Sequence, residues 1–150
     1  MKLSKKAEYA MRALLAMSRA PEGTNFSIHD IATSERIPLK FLEQILLALK
    51  NGGLLRSKRG VGGGYQLQKP PAKIPVGEII TIIDGPFQPI ACSAAAGKIG
   101  AKCECGIPGA CGLGQTFACL QQQVEDWLSS TTLADVLDKE QGTDSVSFEI

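Results

Sequence analysis

At 150 residues, 44% hydrophobic and 21% charged, the chain has the composition of one globular domain or two small ones, which excludes a disordered polymer. No apolar run reaches membrane-spanning length, and Glu8 and Arg12 interrupt the one basic-then-apolar start, so neither a membrane partner nor a signal peptide is expected and the cytoplasm is the expected location. The formal net charge of +1 conceals 12 Lys and Arg against 5 Asp and Glu over residues 1–69, and 4 against 10 over residues 70–150. Halves of +7 and −6 suggest a basic surface that meets a polyanion on an acidic body; chance segregation of solvated charge is the plain alternative.

A first helix is expected from Ser4, as N-cap, to Arg19, with Pro21 just beyond it and Ala7, Ala10, Met11, Leu14 and Met17 at helical spacing. A short second helix fits Ser27 to Ala32, Ser27 capping and Asp30 three residues on. Ile37-Pro38 opens a third, with Pro38 in its first turn, Leu42, Ile45, Leu46 and Leu49 as its buried stripe and Gly52-Gly53 as its stop. Lys40, Glu43, Gln44, Leu47 and Asn51 face the other way. Two strands follow, Leu54 to Lys58 and Tyr65 to Gln68, around the glycine-rich loop Arg59-Gly-Val-Gly-Gly-Gly, with Arg56, Lys58 and Arg59 at its mouth.

A short helix, a turn, a longer helix and a basic hairpin make a winged helix-turn-helix, in which the second helix of the turn enters the DNA major groove and the wing lies along the backbone. A protein-docking module could have the same core, but the outward Lys40, Glu43 and Gln44 and the wing cations favour DNA. A nucleotide cradle is excluded: no lysine-containing phosphate motif follows the loop and no helix succeeds it.

Residues 70–90 read as a connecting helix and turn, with Pro75, Val76, Ile79, Ile80 and Ile83 on one face and an end near Asp84-Gly85-Pro86. All five cysteines lie between Cys92 and Cys119, in a segment rich in glycine and alanine. Such clustering in a reducing compartment points to metal binding or redox sensing rather than to staples. From Gln115 to about Ser129 a longer helix presents Phe117, Leu120, Val124, Trp127 and Leu128 on one face. A monomer could bury that stripe, but reading two half-sites needs two-fold symmetry, and this helix is the natural crossing element of a homodimer. Thr132 caps a last short helix through Leu137, and the tail 141–150 is expected to be mobile.

Lys5 to Leu14, Ile37 to Leu49, Gly53-Leu54-Leu55, Arg59 to Tyr65 and Val76 to Ile79, followed by the cysteine segment, resemble the Rrf-type winged-helix regulators, the group that includes the iron–sulfur regulator IscR and the nitric-oxide sensor NsrR. The resemblance covers about residues 1–140. It implies a mainly α chain with a winged helix-turn-helix DNA-binding region at 1–69, a cluster-binding loop at 91–114 and a dimerisation helix with a terminal short helix at 115–140. It also implies a homodimer on a palindromic double-stranded operator, whose binding follows the state of an iron–sulfur cluster, with a two-iron form preferred over a four-iron one. DNA contacts would come from Ser27, Pro38, Leu39, Lys40, Glu43, Gln44, Arg56, Lys58, Arg59 and Gly60.

Matched to the family pattern, Cys92, Cys105 and Cys111 are the thiolate ligands, with Cys103 competing with Cys105 because the segment between is longer here. Where IscR has a histidine three residues after its third cysteine, this chain has Gly114. The NsrR-like alternative, an acid near the start of the first helix reaching across from the other subunit, falls on Glu8, which could equally pair with Arg12 on its own helix. His29 reads as a polar surface residue or a phosphate contact, and Cys119 as a small core residue. A zinc or thiol-based regulator without a cluster is the second reading, though paired zinc knuckles are absent. No nucleophile–histidine or paired-carboxylate arrangement suggests an enzyme.

Overall fold

Ser4 starts the first helix: its backbone is extended and its Oγ accepts from the Ala7 amide at 3.0 Å. The computed structural model describes residues 3–90 and 111–144. Helix α1 (Lys5–Ser18) buries Ala7, Ala10, Ala13, Leu14, Leu15 and Met17, a wider face than the expected stripe, with Met11 only partly covered. Its three small alanines let neighbouring elements come close. Helix α2 (Ile28–Ser34) is capped by Ser27, whose Oγ accepts from the His29 amide at 3.2 Å. Helix α3 (Leu39–Asn51) begins one residue later than the sequence suggests, because Pro38 is extended and serves as N-cap outside the first turn. Leu42, Ile45, Leu46 and Leu49 are wholly buried, as their spacing required.

The wing pairs β1 (Leu55–Lys58) with β2 (Gly64–Leu67), antiparallel, Leu55 opposite Leu67 and Lys58 opposite Gly64. Phe26, just before α2, adds to its edge through two 2.9 Å bonds with Tyr65, one in each direction. Gly64 makes this possible: a Cβ there would lie 2.4 Å from the Phe26 carbonyl oxygen. The wing is thus stitched to the segment that leads into the helix-turn-helix.

A single 3₁₀ turn at Pro71–Lys73 leads to α4 (Val76–Asp84), which ends as expected at Gly85, φ +88°. Both Ser4 groups, amide and hydroxyl, donate to the Asp84 carboxylate, tying the start of α1 to the end of α4. Helix α5 (Gly112–Ser130) begins earlier than Gln115, so the loop read as 91–114 gives way to helix at Gly112. Helix α6 (Leu133–Asp144) runs well past Leu137, and residues 141–144 are helical rather than tail. Its start is a closed capping box: Thr132 Oγ1 accepts from the Asp135 amide at 3.3 Å, and the Asp135 carboxylate accepts from the Thr132 amide at 2.7 Å. The junction between α5 and α6 is fastened to the start of α4 by Val76 N–H to Thr131 at 2.8 Å and Leu133 N–H to Ile74 at 3.0 Å.

One core gathers α1, α3 and α4 with Ile31, Ile37, Leu54, Leu55, Ile74 and Leu133. The fold is mainly helical with a two-stranded wing, as the sequence led us to expect. No helix among the described residues is long and apolar enough to cross a membrane.

Candidate functional site

The core locks one face of α3 and leaves the opposite face bare. Lys40, Glu43 and Gln44 are exposed there. Leu47, expected on this face, and Phe41, which the sequence did not assign to it, stand out beside them at 54% and 53% exposure. Pro38 is exposed and Leu39 half-buried at the entry to the helix, and Ser27 lies half-buried at the cap of α2. Exposed His29 spends its amide on that cap, which leaves its ring outside.

In the wing, Lys58, Arg59 and Gly60 are exposed, and Val61 at the tip is fully so. Arg56 differs from the other two cations. Its Nε donates to Gln66 Oε1 at 2.8 Å across the hairpin, and Gln66 Nε2 donates to the Gly23 carbonyl at 2.8 Å. Asn25 Nδ2 donates to the Gly62 carbonyl at 3.1 Å. Arg56 therefore braces the wing as well as charging it. Asn25 and Gln66, not singled out in the sequence, hold the loop to the turn before α2; Gln66 beside the glycine loop carried a local signal, and Asn25 none. Lys40, Lys58 and Arg59 enter no ion pair among the described residues, whereas Arg12 and Arg19 share Glu35, each at 3.6 Å, and Arg19 also meets Glu140 at 2.9 Å. The cations that sit on α3 and the wing loop are thus left to solvent or to a ligand, while those behind them serve the fold.

Of the cysteines, Cys92, Cys103 and Cys105 lie outside the described residues. Cys111 is the N-cap of α5, its Sγ accepting from the Gly114 amide at 3.4 Å. A sulfur at that place faces the unpaired N–H groups of a first helical turn, the end of a helix that favours negative charge. The donor type and its position suit a ligand thiolate. Among the described residues no three His, Cys, Asp or Glu side chains converge. Glu8 pairs with Lys5 at 2.6 Å, and this hydrogen bond, then the carboxylate's charge, holds the Lys5 ammonium above its usual 10.5. Arg12 meanwhile leans on Tyr9, 5.8 Å from the ring centroid, and donates to the Glu35 carbonyl.

Cys119 is exposed, contrary to its reading as a core residue. The reason is helical phase: nine residues separate it from Leu128, half a turn out of step, and Leu128 is the side chain that packs against Gly77 of α4. Leu128 accordingly faces the chain's own α4. The remaining apolar residues of α5 form a stricter pattern than expected. Leu113, Phe117, Leu120, Val124 and Trp127 recur at spacings of four and three, a coiled-coil seam. Leu113, Leu120 and Trp127 are exposed, and Gly114 is the one buried residue of the helix. Lys139 of α6 sits 6.0 Å from the Trp127 ring.

These features have counterparts in known proteins. The family model described as Rrf2, iron-dependent transcriptional regulator, matches residues 3–139. The chain belongs to the Rrf2 family. An HTH-type transcriptional regulator of Haemophilus influenzae is 33% identical over 93% of this chain and 88% of its own length. IscR of Escherichia coli is 36% identical over 69% of this chain and 64% of its own. Mycobacterium tuberculosis regulators reach 41% identity, but there the chain spans only about half, 54%, of their length. In structure, CymR, the global cysteine regulator of B. subtilis, superposes with a TM-score of 0.73 at 27% identity over 93% of this chain and 98% of its own. IscR of T. potens, at 24% identity, shares the fold with a TM-score of 0.76 over 98% of this chain and 93% of its own. Rrf2 relatives are transcriptional regulators, not enzymes.

Proposed function

We propose that this Rrf2 chain is a cytoplasmic homodimer that binds a palindromic double-stranded DNA operator, and that its binding responds to an iron–sulfur cluster. The observation that carries the DNA reading is the bare face of α3: Lys40, Glu43 and Gln44 project from a helix whose other face is fully buried, and Lys58 and Arg59 of the wing enter no ion pair among the described residues. Gln44 suits adenine and Glu43 can accept from cytosine, while Arg59 and Lys58 position phosphates or enter the minor groove. Replacing Arg59 should weaken binding to all sequences alike. Glu43→Ala should relax discrimination at one base, and an unchanged preference profile in a selection from random duplexes would remove Glu43 from its role.

Cys92, Cys105 and Cys111 would hold the cluster, with Cys103 in competition with Cys105 and Glu8 of a second copy as the fourth ligand. When bound, the cluster supplies a redox-active iron whose bond to a hard carboxylate is the one most readily lost. The chain's own part is to carry that change to DNA. Cys111 caps α5, Leu128 of α5 packs on α4, Asp84 of α4 grips Ser4, and α1, which carries Glu8, packs on α3. A coupling of about 1.4 kcal/mol through this route would already alter operator affinity tenfold. Anaerobically purified protein should show a visible sulfur-to-iron charge-transfer band, lost in Cys92, Cys105 or Cys111 variants, kept in Cys119→Ala and altered in Glu8→Ala. A colourless protein with bound zinc, or one that loses titratable thiols to an oxidant, would favour the second reading. That reading draws support from the likeness to CymR, of which a Staphylococcus aureus structure is titled the oxidized form, at 30% identity and a TM-score of 0.67 over 91% of this chain.

A further inference from the structure

The turn between α2 and α3 holds the one non-glycine residue with positive φ among the described residues, Arg36 at φ +51°. Its setting is a Schellman motif. Glu35 is the C-cap of α2, the Ile37 amide donates back to Ala32 at 2.9 Å, and the Arg36 amide donates to Thr33 at 3.3 Å. The residue between cap and return in such a motif must be left-handed, and glycine is the usual occupant because a Cβ crowds the backbone there. The return itself is well made: Ile37, with 3% exposure, is driven into the core. So the fold requires the left-handed bend, and an arginine sits where glycine would cost less.

The Arg36 side chain is exposed and makes no hydrogen bond or ion pair among the described residues. The adjacent acid, Glu35, is already taken by Arg12 and Arg19, each at 3.6 Å, and Arg36 does not join them. Strain retained at a position with no compensating contact is the mark of a site kept for function rather than stability. Three residues on, α3 begins with the residues that would enter the major groove, and the turn ahead of a recognition helix runs beside the groove-edge phosphates.

We propose that Arg36 is a DNA-phosphate contact that steadies the entry of α3, held in a strained backbone at the expense of fold stability. The proposal rests on the DNA-binding reading above. Its test uses the full chain and a short random-sequence DNA duplex as probe, titrated with salt, together with thermal melting of the free protein. Arg36→Gly should raise the melting temperature by a few degrees, because it relieves the left-handed strain. The same variant should lower the salt dependence of binding by about one phosphate contact, a slope change of about 0.9 and roughly a fivefold loss of affinity near ~0.15 M salt. Arg36→Lys should keep most of the slope. Lys73→Gln, an exposed cation on the 3₁₀ turn, should leave the slope unchanged and so control for net charge alone. A slope in Arg36→Gly equal to wild type, or one lowered as much by Lys73→Gln, overturns the contact. A fall in melting temperature overturns the strain. Failure of the wild-type protein to bind the duplex would instead overturn the DNA reading itself, which keeps the two outcomes distinct.

Discussion

Helices α3 and α5 are both amphipathic and end up in opposite circumstances. In 13 residues α3 buries four large side chains completely; in 19 residues α5 buries only Gly114. The first owes its place to the chain's own core, and its polar face is what remains for a ligand. The second touches the chain along one edge, through Leu128 on Gly77, and carries a heptad seam to the outside. Burying apolar surface stabilises by about 25 cal/mol per Å², so the exposed Leu113, Leu120 and Trp127 of this seam are the reserve on which the proposed dimer would draw. Amphipathicity alone therefore does not tell a buried stripe from an exposed one; what packs on the stripe does.

The sharpest way to break that contrast is to cut into each stripe. Leu46→Ala should cost about 2–5 kcal/mol in chemical denaturation, since Leu46 is fully buried and the packing around it can close the cavity only in part. A loss below about 1 kcal/mol would mean α3 is not locked as described. On α5, Trp127→Glu should act on assembly instead, weakening a dimer by about 30-fold or more while sparing the core, because Trp127 is 55% exposed in the single chain. Light scattering that finds a stable wild-type monomer at micromolar concentration would leave the seam without its partner.

A smaller change sharpens the same comparison within the DNA-reading half. Gly64→Ala puts a Cβ against the Phe26 backbone and should cost about 1–3 kcal/mol, with faster amide exchange at Phe26 and Tyr65 and weaker DNA binding. Unchanged protection at those two amides would show that the wing is not held by that edge. The smallest effect belongs to the cap of α6. Hydrogen bonds from the Thr132 hydroxyl and amide lower the Asp135 carboxyl below its usual 3.8. A lowered folded value means the contribution is complete above the ordinary aspartate range and is lost as pH falls through the folded value. Asp135→Asn should thus melt slightly below wild type at neutral pH, and the gap should close in acid; a gap that persisted there would detach it from this carboxylate's charge.

Much of the fold was legible because its decisions are local. Ser4 and Ser27 announce their helices by capping an amide two or three residues on, and Gly52-Gly53 close α3 within the same turn. The stripe Leu42, Ile45, Leu46 and Leu49 needs only the helical period to be recognised. The exposed partners Lys40, Glu43 and Gln44 follow from that stripe by exclusion. The wing follows from glycine spacing and flanking cations.

Other features depend on neighbours far away in the chain. Cys119 looked like a core residue until α5 acquired a direction of packing, and it is the contact of Leu128 with Gly77 that turns Cys119 outward. Arg56 looked like a free wing cation until Gln66 and Gly23 came within reach of it. Glu35 meets Arg12 of α1 and Arg19 at its C-cap, contacts across the chain that no local pattern announces. By itself, then, the sequence determined where α1, α2 and α6 begin, which face of α3 goes inward and that the thiols gather in one segment, since caps, periods and composition act over a few residues. Only the tertiary structure decided which charges are spent on the fold, which apolar stripe is left bare and where the backbone is strained, because those outcomes belong to pairs of elements and not to any one of them.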